Sequence, residues 1–231
     1  MDRENIAFTS RMRPWQYAAL LVYLPVHVFG LPLLITELYD RGLVSLGMAN
    51  FWLYAVGAVL LIPLLWTFLS RELDPFCDRF ALVLLEVLRD YALIWCLEMA
   101  AAMLLVACGL AEDSANNREA IALLKAERGP MIAATVLVAP IVEELLFRAG
   151  LFGLIRHKSR AAAYAVSALA FCLYHVWSFA LEDPRQLLYI LEYLPGALLL
   201  ARCYERTDSI WAAMLLHAFS NGVSLWLILQ V

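Results

Sequence analysis

The sequence predicts an all-α protein, a polytopic transmembrane helical bundle of about seven spans, with eight as the alternative. Two observations lead to this fold class. Hydrophobic residues make up 64% of the 231 residues and charged residues only 16%, whereas a soluble domain averages about half apolar and about a quarter charged. The mean hydropathy is +0.75, and the apolar residues lie in long stretches. A segment in lipid must satisfy its backbone hydrogen bonds internally, so these stretches are expected to be helices.

Seven stretches approach the roughly 20 mostly apolar residues that a membrane-spanning helix needs. They are residues 15–35, 48–69, 91–110, 130–155, 161–180, 187–202 and 209–231. The sixth is the weakest, because it is short and contains Glu192 and Pro195. The third is expected to begin near Phe80, with its first turns outside the hydrocarbon, since charged residues at positions 86, 89 and 90 interrupt it.

The spans group into three regions. Residues 1–110 are predicted to be N-terminal transmembrane helices, residues 111–129 a polar connection, and residues 130–231 a catalytic core of four transmembrane helices. In the connection, Asp113 or Ser114 can cap a short amphipathic helix. Ile121, Leu123 and Leu124 would then lie on the membrane surface.

The distribution of lysine and arginine predicts the orientation of the chain, because cytoplasmic loops are enriched in both. A cytoplasmic N-terminus leaves most of these residues inside and few outside. The inside segments hold Arg3, Arg11, Arg13, Arg71, Arg79, Arg156, Lys158, Arg160, Arg202 and Arg206, and the outside segments hold Arg41, Arg118, Lys125, Arg128 and Arg185. We therefore expect an integral, multi-pass protein of the lipid bilayer with its N-terminus in the cytoplasm. The net charge of −4, without a basic block, argues against nucleic acid as a partner.

Three of the last four spans contain ionisable or amide side chains near their middle. The fourth span carries Glu143, Glu144 and Arg148, the fifth carries His175, and the seventh carries His217 and Asn221. A charged side chain inside a span costs a few kcal/mol, so such a residue predicts a functional site.

Helical spacing separates the roles of the fourth-span residues. Glu144 and Arg148 are four residues apart, so they share a face and can form an ion pair. Glu143 is rotated by about 100° from Glu144 and points elsewhere. The spacing therefore predicts a structural pair, Glu144 with Arg148, and a free carboxylate at Glu143.

The histidines also have partners at helical spacing. Phe171 lies four residues before His175, so its ring can form a wall beside the imidazole, and His217 lies four residues before Asn221. At about 1.5 Å per residue, these side chains and Glu143 can meet at one depth in the bundle.

Such a cluster supports the hydrolysis of an amide by water. A carboxylate in apolar surroundings can act as a general base, and a neighbouring histidine can share and orient the water. A second histidine and an asparagine can donate hydrogen bonds to the oxyanion. Glu143, His175 and His217 would equally fit a catalytic zinc ion with an open position. The chain has no HExxH motif, the commonest signature of a zinc protease.

The motifs EELLFR, FCLYH and HAFSN occur in this order, and RTDSIWAAMLLH precedes the last histidine. They resemble the EExxxR, FxxxH and HxxxN motifs of the CPBP group of intramembrane proteases. That group includes the type II CAAX prenyl endopeptidases and bacteriocin-processing or immunity-associated relatives. The resemblance extends over about residues 130–222, and it rests on three motifs in order, each within a predicted span.

The resemblance implies roles for these residues. Glu143 would be the catalytic glutamate and His175 its partner in activating water, while His217 and Asn221 would form the oxyanion side. Glu144 and Arg148 would hold the site together. The family has been described both as glutamate-type and as metal-dependent. We favour the glutamate type without a cofactor, with a divalent metal such as zinc as the alternative. The substrate would be a protein or peptide in the membrane: a prenylated CAAX protein, a peptide precursor or a C-terminal membrane anchor.

Two other classes of function use similar residues. A proton-coupled transporter also places glutamate, histidine and arginine in the membrane, but the sequence shows no inverted repeat of the kind that many transporters have. A non-catalytic immunity or binding protein on the same fold is expected to lose Glu143 or His175, and both are present. The sequence therefore favours an intramembrane protease.

Overall fold

The computed structural model describes residues 8–110 and 112–230, and the regular structure in these ranges is entirely helical. Arg3 of the predicted cytoplasmic segment and the predicted segment ends at residues 111 and 231 lie outside the described residues. The described residues form nine helices: α1 Pro14–Asp40, α2 Leu46–Leu64, α3 Trp66–Asp78, α4 Phe80–Ala107, α5 Ala115–Ala126, α6 Arg128–Arg156, α7 Arg160–Ala180, α8 Ile190–Thr207 and α9 Ile210–Ile228. A 3₁₀ turn, Pro184–Tyr189, leads into α8.

Six helical segments in the described part of the chain are long and apolar enough to cross a membrane. They comprise α1, α2, α6, α7, α9 and the segment Pro184–Thr207 that contains α8. The predicted all-α, multi-pass fold is confirmed. Residues 91–107 of the predicted third span lie in α4, which begins at Phe80, has 28 residues and is not among the six; the predicted residues 108–110 follow its end.

Helix α4 nevertheless runs along most of the length of the bundle. Near its beginning, Asp90 is paired with Arg202 in the last turns of α8. Near its end, Leu105 packs against Tyr189 at the beginning of α8. The two helices are therefore antiparallel, and α4 extends between the same two ends of the bundle as the spanning helices.

Polar side chains determine where several helices begin. The hydroxyl oxygens of Ser45, Ser114 and Ser159 accept hydrogen bonds from backbone N–H groups in the first turns of α2, α5 and α7, which is the usual way to satisfy these donors. Of the two predicted caps of the connection helix, Ser114 is the one used. Leu123 and Leu124 of α5 are buried against Met131 and Leu225, so they face the bundle rather than the predicted membrane surface.

Helix α6 forms the centre of the bundle. In its apolar stretch, 56% of the residues are buried, the largest share among the six spans. Its backbone is π-helical over Ala133–Val138 and again over Glu144–Phe152. Pro140 lies in the short α-helical stretch between them. π-Helical turns are rare and occur frequently at functional sites. This irregular helix carries the two carboxylates and the arginine that the sequence singles out.

Hydrogen bonds hold the segment before α1 at one end of the bundle. The backbone N–H groups of Thr9 and Ser10 each donate to Asp208 Oδ1, at 2.8 Å. The Ser10 hydroxyl donates to Glu72 Oε1 of α3, also at 2.8 Å. Asp208 has a left-handed backbone with φ of 53°, which turns the chain between α8 and α9.

Candidate active site

The fourth-span carboxylates are almost completely enclosed by the bundle. Glu143 is 3% exposed, and Glu144 and Arg148 are fully buried. The helices α2, α7 and α9 pack around this part of α6. An ionised group in such surroundings is stable only when other charges or hydrogen bonds compensate for the lost water.

Arg148 has three partners. Its Nη1 lies 2.9 Å from Glu144 Oε1, which is the ion pair that the four-residue spacing predicts. Its Nη2 donates to the Ala197 carbonyl of α8, at 3.2 Å. The guanidinium also lies over the Phe171 ring, 4.1 Å from the ring centroid, a distance suited to a cation–π contact. Phe171 thus contacts both Arg148 and His175, whereas the sequence predicted only the contact with His175.

His217 links the two carboxylates. Its Nδ1 lies 2.8 Å from Glu144 Oε1, and its Nε2 lies 3.7 Å from Glu143 Oε2. Glu144 accepts hydrogen bonds from both Arg148 and His217, so its charge is shared between two partners. Glu143 forms no ion pair with Arg148 and faces the free edge of the imidazole.

His175 lies on the other side of Phe171. Its Nδ1 is 2.9 Å from the Phe171 carbonyl, so an N–H at this position can donate to that oxygen and leave the lone pair on Nε2. The two rings are 4.6 Å apart between centroids. Tyr193 of α8 stacks on the imidazole at 4.7 Å with an interplanar angle of 27°. The imidazole is therefore held between two aromatic rings.

Asn221 lies one turn beyond His217 on α9. Its Nδ2 donates to the Thr135 carbonyl in the first π-helical segment of α6, at 2.9 Å. This hydrogen bond connects Asn221 to the backbone of the helix that carries Glu143. The predicted oxyanion partners are thus on one helix, but their hydrogen bonds lead to different parts of α6.

A catalytic zinc ion would require Glu143, His175 and His217 to converge on one point. In residues 8–110 and 112–230, no three side chains of His, Cys, Asp or Glu form a group that could hold a metal. Glu143, His175 and His217, the alternative zinc ligands, belong to this described part. Nδ1 of each histidine has a hydrogen-bond partner within the protein, which leaves Nε2 as the free nitrogen of both rings.

Helices α1 and α2 also contribute to the site, although sequence reasoning assigned little chemistry to them. Tyr54 lies on α2, a helix that packs against the Ala139–Glu143 stretch of α6. It contacts Tyr174 of α7, which in turn contacts His27 of α1. Tyr174 directly precedes His175 in FCLYH, and His27 is a histidine inside a span. No sequence signal connects Tyr54 with the site.

Tyr193 connects the site to the polar connection. Its hydroxyl is 2.7 Å from the hydroxyl of Ser114, the residue that caps α5, and 3.1 Å from Asn116 Nδ2 and Asn117 Oδ1. Asn117 Nδ2 also donates to Glu192, at 2.6 Å, so this acidic residue of the sixth span has a hydrogen-bond partner.

An apolar groove of about 270 Å³ lies against the carboxylate segment of α6. It is lined by Phe76 of α3, by Val136, Leu137, Pro140 and Ile141 of α6, and by Trp211, Met214, Leu215 and Ala218 of α9. Pro140 and Ile141 are three and two residues before Glu143, and Met214 is one turn before His217.

Comparison with known protein families gives one match, in the part of the chain that carries the site residues. Residues 126–223 match the family model described as Rce1-like, type II CAAX prenyl endopeptidase Rce1-like. The matched range contains all three motifs found in the sequence, and it confirms the predicted family resemblance. Comparisons with curated proteins and with solved structures gave no match.

Proposed function

Because residues 126–223 carry an Rce1-like domain in a multi-pass membrane protein, we propose that the chain is an intramembrane endopeptidase that uses Glu143 as its general base. The supporting observation is the difference between two adjacent buried carboxylates. Glu144 is hydrogen-bonded to both Arg148 and His217. Glu143 faces His217 Nε2 at 3.7 Å, without an arginine partner.

In the proposed reaction, Glu143 and His175 bind and orient a water molecule. The water oxygen attacks the carbonyl carbon of the scissile peptide bond, and Glu143 takes the proton that the water releases. His217 and Asn221 donate hydrogen bonds to the oxyanion that develops on the carbonyl oxygen. When the C–N bond breaks, Glu143 returns the proton to the leaving amine. No covalent intermediate and no metal are involved.

The neighbouring groups suit these roles. Glu144 accepts from Nδ1 of His217; the imidazole also donates from Nε2 to the oxyanion when both ring nitrogens carry a proton. Asn221 uses one amide N–H for Thr135 and has a second available. The apolar groove beside Pro140 and Met214 offers a surface for a hydrophobic part of the substrate. Such a part is present in a prenylated C-terminus, a signal-like precursor segment and a membrane anchor alike.

A purified enzyme can test this proposal directly. An internally quenched peptide that ends in a farnesylated CAAX sequence serves as the probe, and the same peptide without the farnesyl group shows whether the lipid is required. We expect the wild type to cleave the probe and Glu143→Gln to be inactive, since the amide cannot accept the proton. Glu37→Gln, the same chemical change at an exposed position, is the control. Equal cleavage by wild type and Glu143→Gln would refute the assignment.

Two alternatives make different predictions. A proton-coupled transporter would show Glu143-dependent uptake driven by a pH gradient, without cleavage of any probe. A non-catalytic binding protein would show neither activity and would retain its partner in Glu143→Gln.

A further inference from the structure

The second π-helical segment of α6, Glu144–Phe152, accepts a hydrogen bond from a neighbouring helix. The Ser167 hydroxyl of α7 donates to the Phe147 carbonyl in this segment, at 2.9 Å. Ser167 is completely buried and Phe147 almost so. A serine inside a helix often bonds a carbonyl one turn earlier in its own helix, whereas Ser167 bonds a different helix. In membrane proteins, side chains of neighbouring helices can satisfy the backbone groups that an irregular turn frees.

Three residues at intervals of four place one face of α7 against this segment. Ser167, Phe171 and His175 share that face, because residues four apart in a helix are neighbours on its surface. Phe171 packs edge-on against the Phe147 ring, at 5.4 Å between centroids, and lies under the Arg148 guanidinium. Ser167 and Phe171 therefore hold the backbone and the ring of Phe147. The FCLYH motif begins at Phe171, one turn after Ser167.

We propose that Ser167 is a positioning residue, which holds this π-helical turn so that Arg148 reaches Glu144. The Phe147 carbonyl belongs to the planar peptide unit that leads into Arg148, so its hydrogen bond fixes the orientation of that unit. Relaxation of the turn to the hydrogen-bond ladder of an α-helix would rotate Arg148 about the helix axis relative to Glu144. Glu144 also accepts from His217, so the rotation would reach the imidazole beside the proposed general base. This inference rests on the proposed function for its catalytic meaning.

Ser209 provides a matched control between α8 and α9. It is completely buried, like Ser167, and its hydroxyl donates to the Glu72 carbonyl of α3, at 2.7 Å. Ser209→Ala and Ser167→Ala therefore each remove a buried hydroxyl that bonds the backbone of another helix. Of the two hydroxyls, only that of Ser167 bonds α6.

The first test compares the kinetics of the two serine variants on the farnesylated probe. We expect kcat of Ser167→Ala to fall roughly 3- to 10-fold, the effect of losing one buried hydrogen bond. KM should stay at the wild-type value, because the side chains that line the apolar groove are unchanged. Ser209→Ala should keep the wild-type kcat, while its thermal midpoint falls as much as that of Ser167→Ala. Wild-type kcat in Ser167→Ala, or equal losses of kcat in both variants, would overturn the proposal.

The second test does not depend on activity. Phe147 and Arg148 form the only Phe–Arg pair in the sequence, so ¹³C at the phenylalanine carbonyls and ¹⁵N at the arginines give one peptide unit that carries both labels. The carbonyl signal of this unit reports the hydrogen bond at Phe147, and it should move in Ser167→Ala but not in Ser209→Ala.

An unchanged signal in Ser167→Ala would overturn the proposal even if cleavage fell, because the hydrogen bond would then be absent. A moved signal together with wild-type kcat would also overturn it. A moved signal in a protein whose wild type cleaves no probe would keep the hydrogen bond and refute the proposed protease instead.

Discussion

Glu143 and Glu144 are consecutive residues, and their different neighbours explain how two buried carboxylates can coexist. Arg148 lies within 2.9 Å of Glu144 and compensates for one negative charge in the centre of the bundle. His217 lies between the two side chains, close to Glu144 and 3.7 Å from Glu143. Removing the arginine would leave Glu144 with only the imidazole, at a position without access to water.

We therefore expect Arg148→Ala to destabilise the protein by about 3–5 kcal/mol, the usual effect of leaving a buried charge unpaired. The measurement is the free energy of unfolding in detergent. Arg41→Ala is the control, because Arg41 also pairs with a glutamate four residues away, Glu37, but both side chains are more than half exposed, and exposed pairs contribute about 1 kcal/mol or less. Equal stability of Arg148→Ala and the wild type would contradict the structural role of the pair.

The sequence predicts contacts between side chains well when both lie on one helix at a known spacing. It predicts them poorly when the contact depends on how two helices pack. The pair of Glu144 with Arg148 follows from a separation of four residues along one helix. The position of His217 between both carboxylates depends on how α9 packs on α6, and no spacing within α9 contains that information. The same reason hides Tyr54, which comes from a helix about 90 residues earlier in the chain.

At the scale of helices, α3 and the segment before α1 are joined through Glu72, which lies outside the six membrane-spanning segments. Glu72 is 3% exposed and accepts hydrogen bonds from Ser10 and from the backbone of Ile210. Burial raises the pKa of Glu72 to about 7 from its ordinary value of 4.5.

This shift predicts a pH dependence with a definite sign. The folded protein holds the Glu72 proton more tightly than the unfolded chain, so the stability from this group is complete below about pH 4.5. It declines as the pH rises through 7, by on the order of 3 kcal/mol. Thermal midpoints across this range should fall more steeply for the wild type than for Glu72→Gln, whose side chain does not titrate. Parallel curves for the two proteins would show that Glu72 is not the group responsible.

Tyr193 connects α8 and α5 to the imidazole of His175. One face of its ring stacks on His175, and its hydroxyl is bonded to Ser114 and Asn116. Tyr193→Phe keeps the ring and removes the hydroxyl, so we expect near-normal kcat with a loss of about 1 kcal/mol in stability. Tyr193→Ala also removes the stacked ring, so kcat should fall roughly 10-fold. The paired kcat and stability measurements check both statements; equal kcat in the two variants would argue against a role for the stack.

At the scale of the whole molecule, composition and the length of the apolar stretches are enough to predict a multi-pass helical bundle. They do not determine how many helices cross, because Glu86, Arg89 and Asp90 interrupt the apolar sequence of α4. Arg206 and Arg202 of α8 pair with Glu86 and Asp90, a compensation that only the packed structure reveals. The cytoplasmic position of the N-terminus stays a prediction from the distribution of arginine and lysine.

The N-terminal helices also make contacts near the site that the sequence does not predict. The motifs and the family match lie in the second half of the chain, yet His27 of α1 and Tyr54 of α2 both contact Tyr174, the residue directly before His175. The mostly apolar sequence of α2 does not predict the contact of Tyr54 with Tyr174, since one tyrosine in a span is commonly a packing or interface residue.

The central claim is that Glu143 makes this protein a peptidase in its own membrane. The most direct measurement is a comparison of membrane-protein termini in cells that express wild type or Glu143→Gln at equal levels. We predict that at least one precursor accumulates uncut in the Glu143→Gln cells and that its new terminus in wild-type cells identifies the cleaved bond. Identical termini in both cells, with both proteins folded and equally abundant, would contradict the account.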